Sequence, residues 1–395
     1  MKSVSRQPEI KGWCPGALRP MLSGDGLVVR VRPRGGRLTP EQARGIADLA
    51  RSCGNGLIDL SARANVQMRG ASEATHGSLI DGLRALGLID LSTEAEARRN
   101  VIVTPFWHEG DGTLELARAL TDALAEPDAP QTPGKFGYAI DCGPVPVLRS
   151  ISADIRIERS MDGGLIVRPD SSDFGESVTE ETAAATALAL ARWFLDAGGA
   201  PDGRGRMAAL LGRGIAAPAQ FSSVRANAST GEDPLPGPTM QGFLVGFAFG
   251  QMQADTLAEL SGLGSLRVTP WRMLLVEGAA DVPRNADLIT DPEDPLRRVV
   301  ACTGAPGCPQ ALAATRLLAR SLAGRLPRGV LAHVSGCAKG CAHPSEAALT
   351  LVARAPDRFD AVRNGKASAP PDFSGLSPAR LVSNPDLLTE LLNAP

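Results

Sequence analysis

Apolar and polar residues are spaced so that one series of elements is spelled out twice along the chain. Leu27-Val-Val-Arg-Val31 predicts a strand, Pro40 to Cys53 a helix, and Leu57-Ile-Asp-Leu60 and Val66-Gln-Met68 two further strands. The same order returns later. Phe243-Leu-Val-Gly-Phe247 predicts a strand, Ala254 to Leu260 a helix, and Leu266-Arg-Val268 and Met273-Leu-Leu-Val276 the strand pair that follows. Gly54, Gly56 and Gly70 match Gly262, Gly264 and Gly278 at one constant offset, which points to duplication.

The echo continues more loosely beyond each unit. Arg98-Arg99-Asn100-Val101 resembles Arg297-Arg298-Val299-Val300, and Tyr138-Ala-Ile-Asp-Cys142 resembles Ala332-His-Val-Ser-Gly-Cys337. Asp154 to Glu158 and Leu349 to Ala353 then predict a strand in each copy. The expected fold class is α+β, with two strand-helix-strand-strand units paired about a pseudo-two-fold axis and each followed by a mixed α/β segment. The acidic, Pro/Gly-rich stretch Gly231 to Pro238 reads as the junction. The boundaries drawn are 1–78 and 79–228 for the first copy, 229–239 for the linker, and 240–290 and 291–395 for the second. Pro385 to Leu392 predicts an amphipathic helix docked on the core.

Composition then narrows the class. A net charge of −2 and a scattered arginine content exclude a global field for nucleic acid, so any anion site is a local cluster. No apolar run reaches the roughly 18 residues of a membrane span and no signal core follows Met1, which gives the expectation of a cytoplasmic protein. Gly203-x-Gly205-x-x-Ala208 fits a dinucleotide fingerprint in letters only, because an Ala-rich helix rather than a strand precedes it. No nicotinamide site is expected.

Seven cysteines in a reducing compartment suggest ligation rather than disulfides. Cys302-x5-Cys308 and Cys337-x3-Cys341 form two close pairs among Gly and Pro, and four thiolates complete either an iron-sulfur cluster or a zinc site. The five-residue gap is long for a zinc knuckle, which favours the cluster, with zinc and unrelated buried cysteines as alternatives. Cys53 reads as a core residue, Cys142 as the first copy's unpaired remnant of Cys337, with Val103 where Cys302 stands in the second copy, and Cys14 as a turn residue of open role. One cluster is expected.

These cysteines, preceded by the paired units, resemble the nitrite and sulfite reductase superfamily. The resemblance implies two ferredoxin-like half-domains and a 4Fe-4S cluster whose last ligand, at Cys341, bridges to a sirohaem iron in the reductases. Gly12-Trp-Cys-Pro-Gly-Ala-Leu-Arg-Pro-Met21, Gly24-Asp-Gly-Leu-Val-Val-Arg30 and Leu266-Arg-Val-Thr-Pro-Trp-Arg272 resemble, more narrowly, the precorrin-3B synthase family. That likeness implies a monooxygenase of aerobic cobalamin biosynthesis, which takes precorrin-3A and dioxygen to a hydroxylated lactone. It further implies a mononuclear non-haem iron, whose ligands the sequence does not identify, and NAD(P)H-derived electrons arriving through a separate ferredoxin or flavin reductase. His343 and His108 are the histidines nearest the cluster loop and its first-copy counterpart.

Three positions of the reductase anion pocket carry over: Arg63, Arg99 and Lys135, as catalytic candidates. Gly137 replaces the second pocket lysine, and Arg69 stands where the reductase motif has histidine. Losing a cation argues against sulfite or nitrite as substrate. The carboxylate fringe of a precorrin calls for arginine forks, for which Arg30, Arg32, Arg63, Arg69, Arg267 and Arg272 are the candidates. Arg30, Arg32 and Arg34 would share a face if the strand ran past Pro33, with Arg37 close by, and Arg267 and Arg272 are expected at the equivalent place of the second copy. The alternatives are a sirohaem-dependent nitrite or sulfite reductase and a non-catalytic metal-binding interaction module.

Overall fold

A computed structural model describes residues 15–228, 231–285, 287–384 and 386–393. Cys14 lies outside them. The first copy opens with strands β1 (Met21–Ser23), β2 (Gly26–Val31) and β3 (Arg37–Leu38), then helix α1 (Pro40–Cys53), strands β4 (Leu57–Leu60) and β5 (Val66–Ala71) and helix α2 (Glu73–Ala85). Thr39 starts α1 with a full capping box to Gln42, and Pro40 holds its first turn. Helix α3 (Thr93–Arg98) leads to a sheet of β6 (Val101–Val103), β7 (Tyr138–Asp141), β8 (Ile155–Arg159), β9 (Leu165–Pro169), β10 (Phe174–Val178) and β11 (Val224–Arg225). Helices α4 (Thr113–Ala125), α5 (Glu180–Asp196) and α6 (Met207–Gly212) accompany it.

The second copy repeats the plan. Strands β12 (Gly237–Thr239), β13 (Gly242–Phe247) and β14 (Gln251–Gln253) precede helix α7 (Ala254–Ser261), strands β15 (Leu266–Val268) and β16 (Met273–Glu277), and the short β17 (Leu288–Ile289). The last sheet comprises β18 (Val299–Ala301), β19 (Ala332–Ser335), β20 (Ala347–Ala355), β21 (Arg358–Gly365) and β22 (Phe373–Leu376), with α8 (Arg316–Ala323), α9 (Pro378–Ser383) and α10 (Leu387–Asn393). The drawn boundary after residue 78 falls within α2. The end of the drawn linker is β12, already part of the second sheet.

Topology establishes the duplication more firmly than letters do. The two ferredoxin-like sheets run β1-β2-β5-β4-β14 and β12-β13-β16-β15-β3, so each copy sends one strand across to close the other's sheet. In both copies a short turn with left-handed residues redirects the chain: Gly35 and Gly36 in the first, Phe249 and Gly250 in the second. Helices α1, α2 and α7 cover one face of this pair and bury a shared apolar core, including Ile46, Leu83 and Leu257. The two outer sheets also match, each with three parallel strands followed by antiparallel ones. No helix of the described residues is long and apolar enough to cross a membrane.

Two equivalences shift under this register. Val101 pairs with Tyr138 as Val299 pairs with Ala332, so Thr104, not Val103, stands where Cys302 does, and Cys142 corresponds to Gly336 rather than Cys337. Arg267 and Arg272 are not the counterparts of Arg30 to Arg37. They lie on β15 and the turn after it, at the positions equivalent to Asp59 and Ala64 of the first copy, and Ala64 and Arg272 share a left-handed backbone.

Candidate functional site

The four cysteines expected to act together occupy two loops at the carboxyl ends of parallel strands. Cys302 follows β18, and Cys337 and Cys341 follow β19. The backbone N–H of Gly336 donates to the Cys302 sulfur at 3.2 Å, which pins the first loop against the second. A side chain at Gly336 would collide with Ala311 at 2.7 Å, so glycine permits that approach. Burial pushes the Cys337 and Cys341 thiols up, and the neighbouring Cys302 and Cys308 sulfurs add to this, while Lys339 opposes it.

Among the described residues no three His, Cys, Asp or Glu side chains converge on a single ion. A zinc ion needs all its sulfurs about 2.3 Å from one point, whereas each thiolate of a cubane takes its own iron. Four thiolates on two adjoining loops are a donor set that suits either site. Cys142 is buried, with its thiol pushed up to about 12 by that burial, and remains an ordinary core residue. His343 contacts the Glu346 carbonyl, His108 contacts Gln241, and the buried His333 faces the His343 ring edge-on with centroids 5.8 Å apart. None of these histidines joins a second one and a carboxylate in a metal-ligand group.

The face of the first ferredoxin-like sheet opposite its helices is polar. Pairing register aligns Arg30, Gln67, Asp59 and Gln251 in one row across β2, β5, β4 and β14. Arg30 donates to Gln67 at 2.6 and 3.0 Å, and Gln251 to Asp59 at 2.9 Å. The corresponding row of the second sheet reads Leu244, Leu275, Arg267 and Arg37. There Leu244, Met273 and Leu275 pack with Phe106 and Trp271 into an apolar plug. The cysteine side of the pseudo-two-fold thus keeps a polar surface, while the opposite side is filled.

The expected arginines divide by what they touch. Arg32 ends up buried against Glu96 at 3.5 Å, because the strand stops at Val31 before Pro33, and burial brings its pKa down to about 10. Arg34 is half exposed, 3.6 Å from Asp90. Arg99 grips Asp90 with both arms and the Arg32 carbonyl besides, leaving no fork for a ligand. Arg63 donates to the Lys135 carbonyl at 2.9 Å, and a Cβ on Gly137 would stand 2.8 Å from Asn100 and 3.2 Å from Arg63. Gly137 is thus more than a lost cation, because its bare Cα makes room for the Arg63 guanidinium. Lys135 itself is exposed. Arg272 reaches the carbonyl of Ala342, next to Cys341.

Arg69 and Arg267 are engaged within the protein. Arg69 forks onto Asp25 at 2.6 and 2.7 Å, meets Asp59 at 3.1 Å, and donates to the Gly307 carbonyl in the cysteine loop at 3.0 Å. Arg267 pairs with Glu277 at 2.7 Å, donates to the Pro105 and Trp107 carbonyls, and lies 3.5 Å over the Trp107 ring. Sequence reasoning missed the carboxylates that claim these cations. Asp59 and Glu277 stand in strands that carry no motif and meet an arginine only through strand pairing, and Asp25 lies in the Gly24 to Arg30 stretch with nothing local to mark it as a partner.

A paired ferredoxin-like core, two outer sheets and two cysteine-bearing loops at one side give this chain a fold similar to that of the nitrite and sulfite reductases. Residues 19–86 match the family model described as the nitrite/sulfite reductase ferredoxin-like half domain. The chain is 28% identical to a precorrin-3B synthase from Sinorhizobium sp. over 91% of its own length and 84% of that protein's. It is 33% identical to the hemoprotein beta-component of an NADPH sulfite reductase from Shouchella clausii, over 25% of this chain and 18% of that one. The NirA protein of Mycobacterium tuberculosis shares the fold with a TM-score of 0.65, at 18% identity, over 93% of this chain and 81% of that one. Two of these relatives carry the names of enzymes, a precorrin-3B synthase and a sulfite reductase component.

Proposed function

We propose that the chain is a precorrin-3B synthase, which uses dioxygen and external electrons to hydroxylate precorrin-3A and close a lactone. The observation that carries this reading is the end-to-end likeness to a precorrin-3B synthase, set beside two cysteine loops that meet at one place. Cys302, Cys308, Cys337 and Cys341 would hold a 4Fe-4S cluster, which supplies electrons one at a time. The mononuclear iron of the proposed reaction has no ligand set among the described residues, and no step is assigned to it.

The chain's own contribution is recognition and positioning. Arg30 and Arg63 border the polar sheet face, and Arg272 stands beside the Cys341 loop, so together they would receive the carboxylate fringe of the macrocycle. Arg63 is held for this by the Lys135 carbonyl and by the space that Gly137 leaves beside Asn100. The electron donor is proposed to be a separate ferredoxin or flavin reductase.

The test joins iron and sulfide analysis of anaerobically purified protein to an EPR spectrum after dithionite reduction and an optical scan. A reduced 4Fe-4S signal lost in Cys302→Ser, no sirohaem bands, and dioxygen-dependent turnover of precorrin-3A are expected. Tightly bound sirohaem would make the protein a reductase instead, and zinc without iron would overturn both.

A further inference from the structure

The two ion pairs whose arginines grip loops are related by the pseudo-two-fold, with their charges exchanged. In the first copy arginine is on β5 and its carboxylate on β4, as Arg69 and Asp59. In the second copy the carboxylate is on β16 and the arginine on β15, as Glu277 and Arg267. From either position the guanidinium reaches the loop that follows the first strand of an outer sheet: Gly307 after β18, or Pro105 and Trp107 after β6. Only the first of these loops carries cysteines.

The grip on Gly307 is built from three sides. Its carbonyl accepts from Arg69 at 3.0 Å, from the Ser23 hydroxyl at 2.5 Å and from the Gly24 N–H at 3.2 Å. Asp25 holds the guanidinium by two hydrogen bonds, and Asp59 is itself held by Gln251 and Arg316, so Arg69 has little freedom to turn away. The next residue is Cys308, whose N–H donates to Gly304 at 2.8 Å.

We infer that Arg69 is a positioning residue for the Cys302–Cys308 loop, fixing Cys308 through Gly307 while the related Arg267 holds the cysteine-free loop of the other copy. The inference rests on the proposed cluster for its consequence, but not for its geometry. Residues that orient ligands from behind typically change metal retention by roughly ten- to a hundredfold when lost.

The experiment compares Arg69→Lys and Arg69→Met with Arg267→Lys and Arg267→Met in the full chain. A lysine keeps the charge but cannot fork onto Asp25 while reaching Gly307, so it tests positioning even where methionine fails to fold. The first readout is amide hydrogen exchange in cluster-free protein. Peptides covering 302–308 should exchange about tenfold faster in the Arg69 variants alone, and peptides covering 105–108 in the Arg267 variants alone. The second is iron and sulfide retained after anaerobic loading with ferrous iron and sulfide, with the midpoint potential of the loaded protein. Both should change in Arg69→Lys and stay at the wild-type value in Arg267→Lys. Equal exchange of both loops in both variants, or unchanged retention and potential in Arg69→Lys, would overturn the inference. If wild-type protein takes up no cluster, the reading of function fails, while the exchange arm still decides the role of Arg69.

Discussion

Glu277→Gln tests whether the exchanged strands are tied by charge. The Glu277 carboxylate receives Arg37 through two hydrogen bonds of 2.8 Å and Arg267 through one of 2.7 Å. Arg37 comes from the strand that the first copy lends to the second, so this carboxylate is a rivet between the copies. The Arg37 side chain is 36% exposed, and its share is therefore screened to about 1 kcal/mol or less. Arg267 is only 8% exposed, and removing the partner of a buried charge costs roughly 3–5 kcal/mol. The amide still accepts a hydrogen bond and Arg267 keeps its two loop carbonyls, so a net loss of about 2–3 kcal/mol is expected. Urea unfolding followed by tryptophan emission measures it, and Trp107, 3.5 Å from the Arg267 guanidinium, reports on the site itself. Burial opposes ionisation of Glu277, but hydrogen bonds from Arg37 and Arg267 outweigh it and hold the carboxyl below the usual range. Its stabilisation is then present above the ordinary glutamate pKa and lost as pH falls through the lowered folded value, a dependence the glutamine variant should lack. A loss under about 0.5 kcal/mol, or an unchanged acid limb, would falsify the rivet.

Asp141 should behave in the opposite sense. Burial raises its carboxyl to about 6 against two backbone N–H donors, so its favourable contribution is complete below the unfolded value near 4 and lost as pH rises through about 6. Asp141→Asn should flatten stability between those limits in a pH series of urea midpoints, and an unaltered slope would sink the assignment. Gly24→Ala places a Cβ 1.9 Å from the Pro306 carbonyl oxygen, forcing the cysteine loop away at a cost of roughly 1–3 kcal/mol. Lower iron retention should accompany that loss, and retention equal to wild type would count against the contact. Cys142→Ser should leave iron and sulfide content unchanged, because the thiol is buried in the first copy's core with no second cysteine beside it among the described residues; a fall in either would reveal a ligand there.

Sequence patterning recovers the regular elements of this fold well, since each depends on local periodicity. The strand at Leu27 to Val31, the helix from Pro40 and their second-copy partners all stand where apolar periodicity puts them. The crossing of β3 and β14 between sheets was hidden, because strands of two and three residues carry no periodic signal and their partners lie in the other copy. Register across outer sheets suffered similarly. One extra residue before β6 moved the match for Cys302 from Thr104 to Val103, a slip that only strand pairing exposes.

The arginines show the same limit in chemical terms. A cation in a sequence advertises charge but not its partner, and here two of six candidate substrate ligands are claimed by carboxylates on neighbouring strands. The duplication explains why such pairs exist and why they differ. Each copy needed a cross-strand ion pair to reach its outer loop, and reversing the signs leaves that contact intact as long as both residues change together. What cannot be exchanged so freely is the surface beside them. Arg30, Gln67, Asp59 and Gln251 keep one sheet open to a polar ligand next to the cysteine loops, whereas Leu244, Leu275 and Phe106 close the other. Two equivalent sheet faces would thus be made unlike without altering the backbone that relates them, and the one that stays polar is the one beside the cysteine loops.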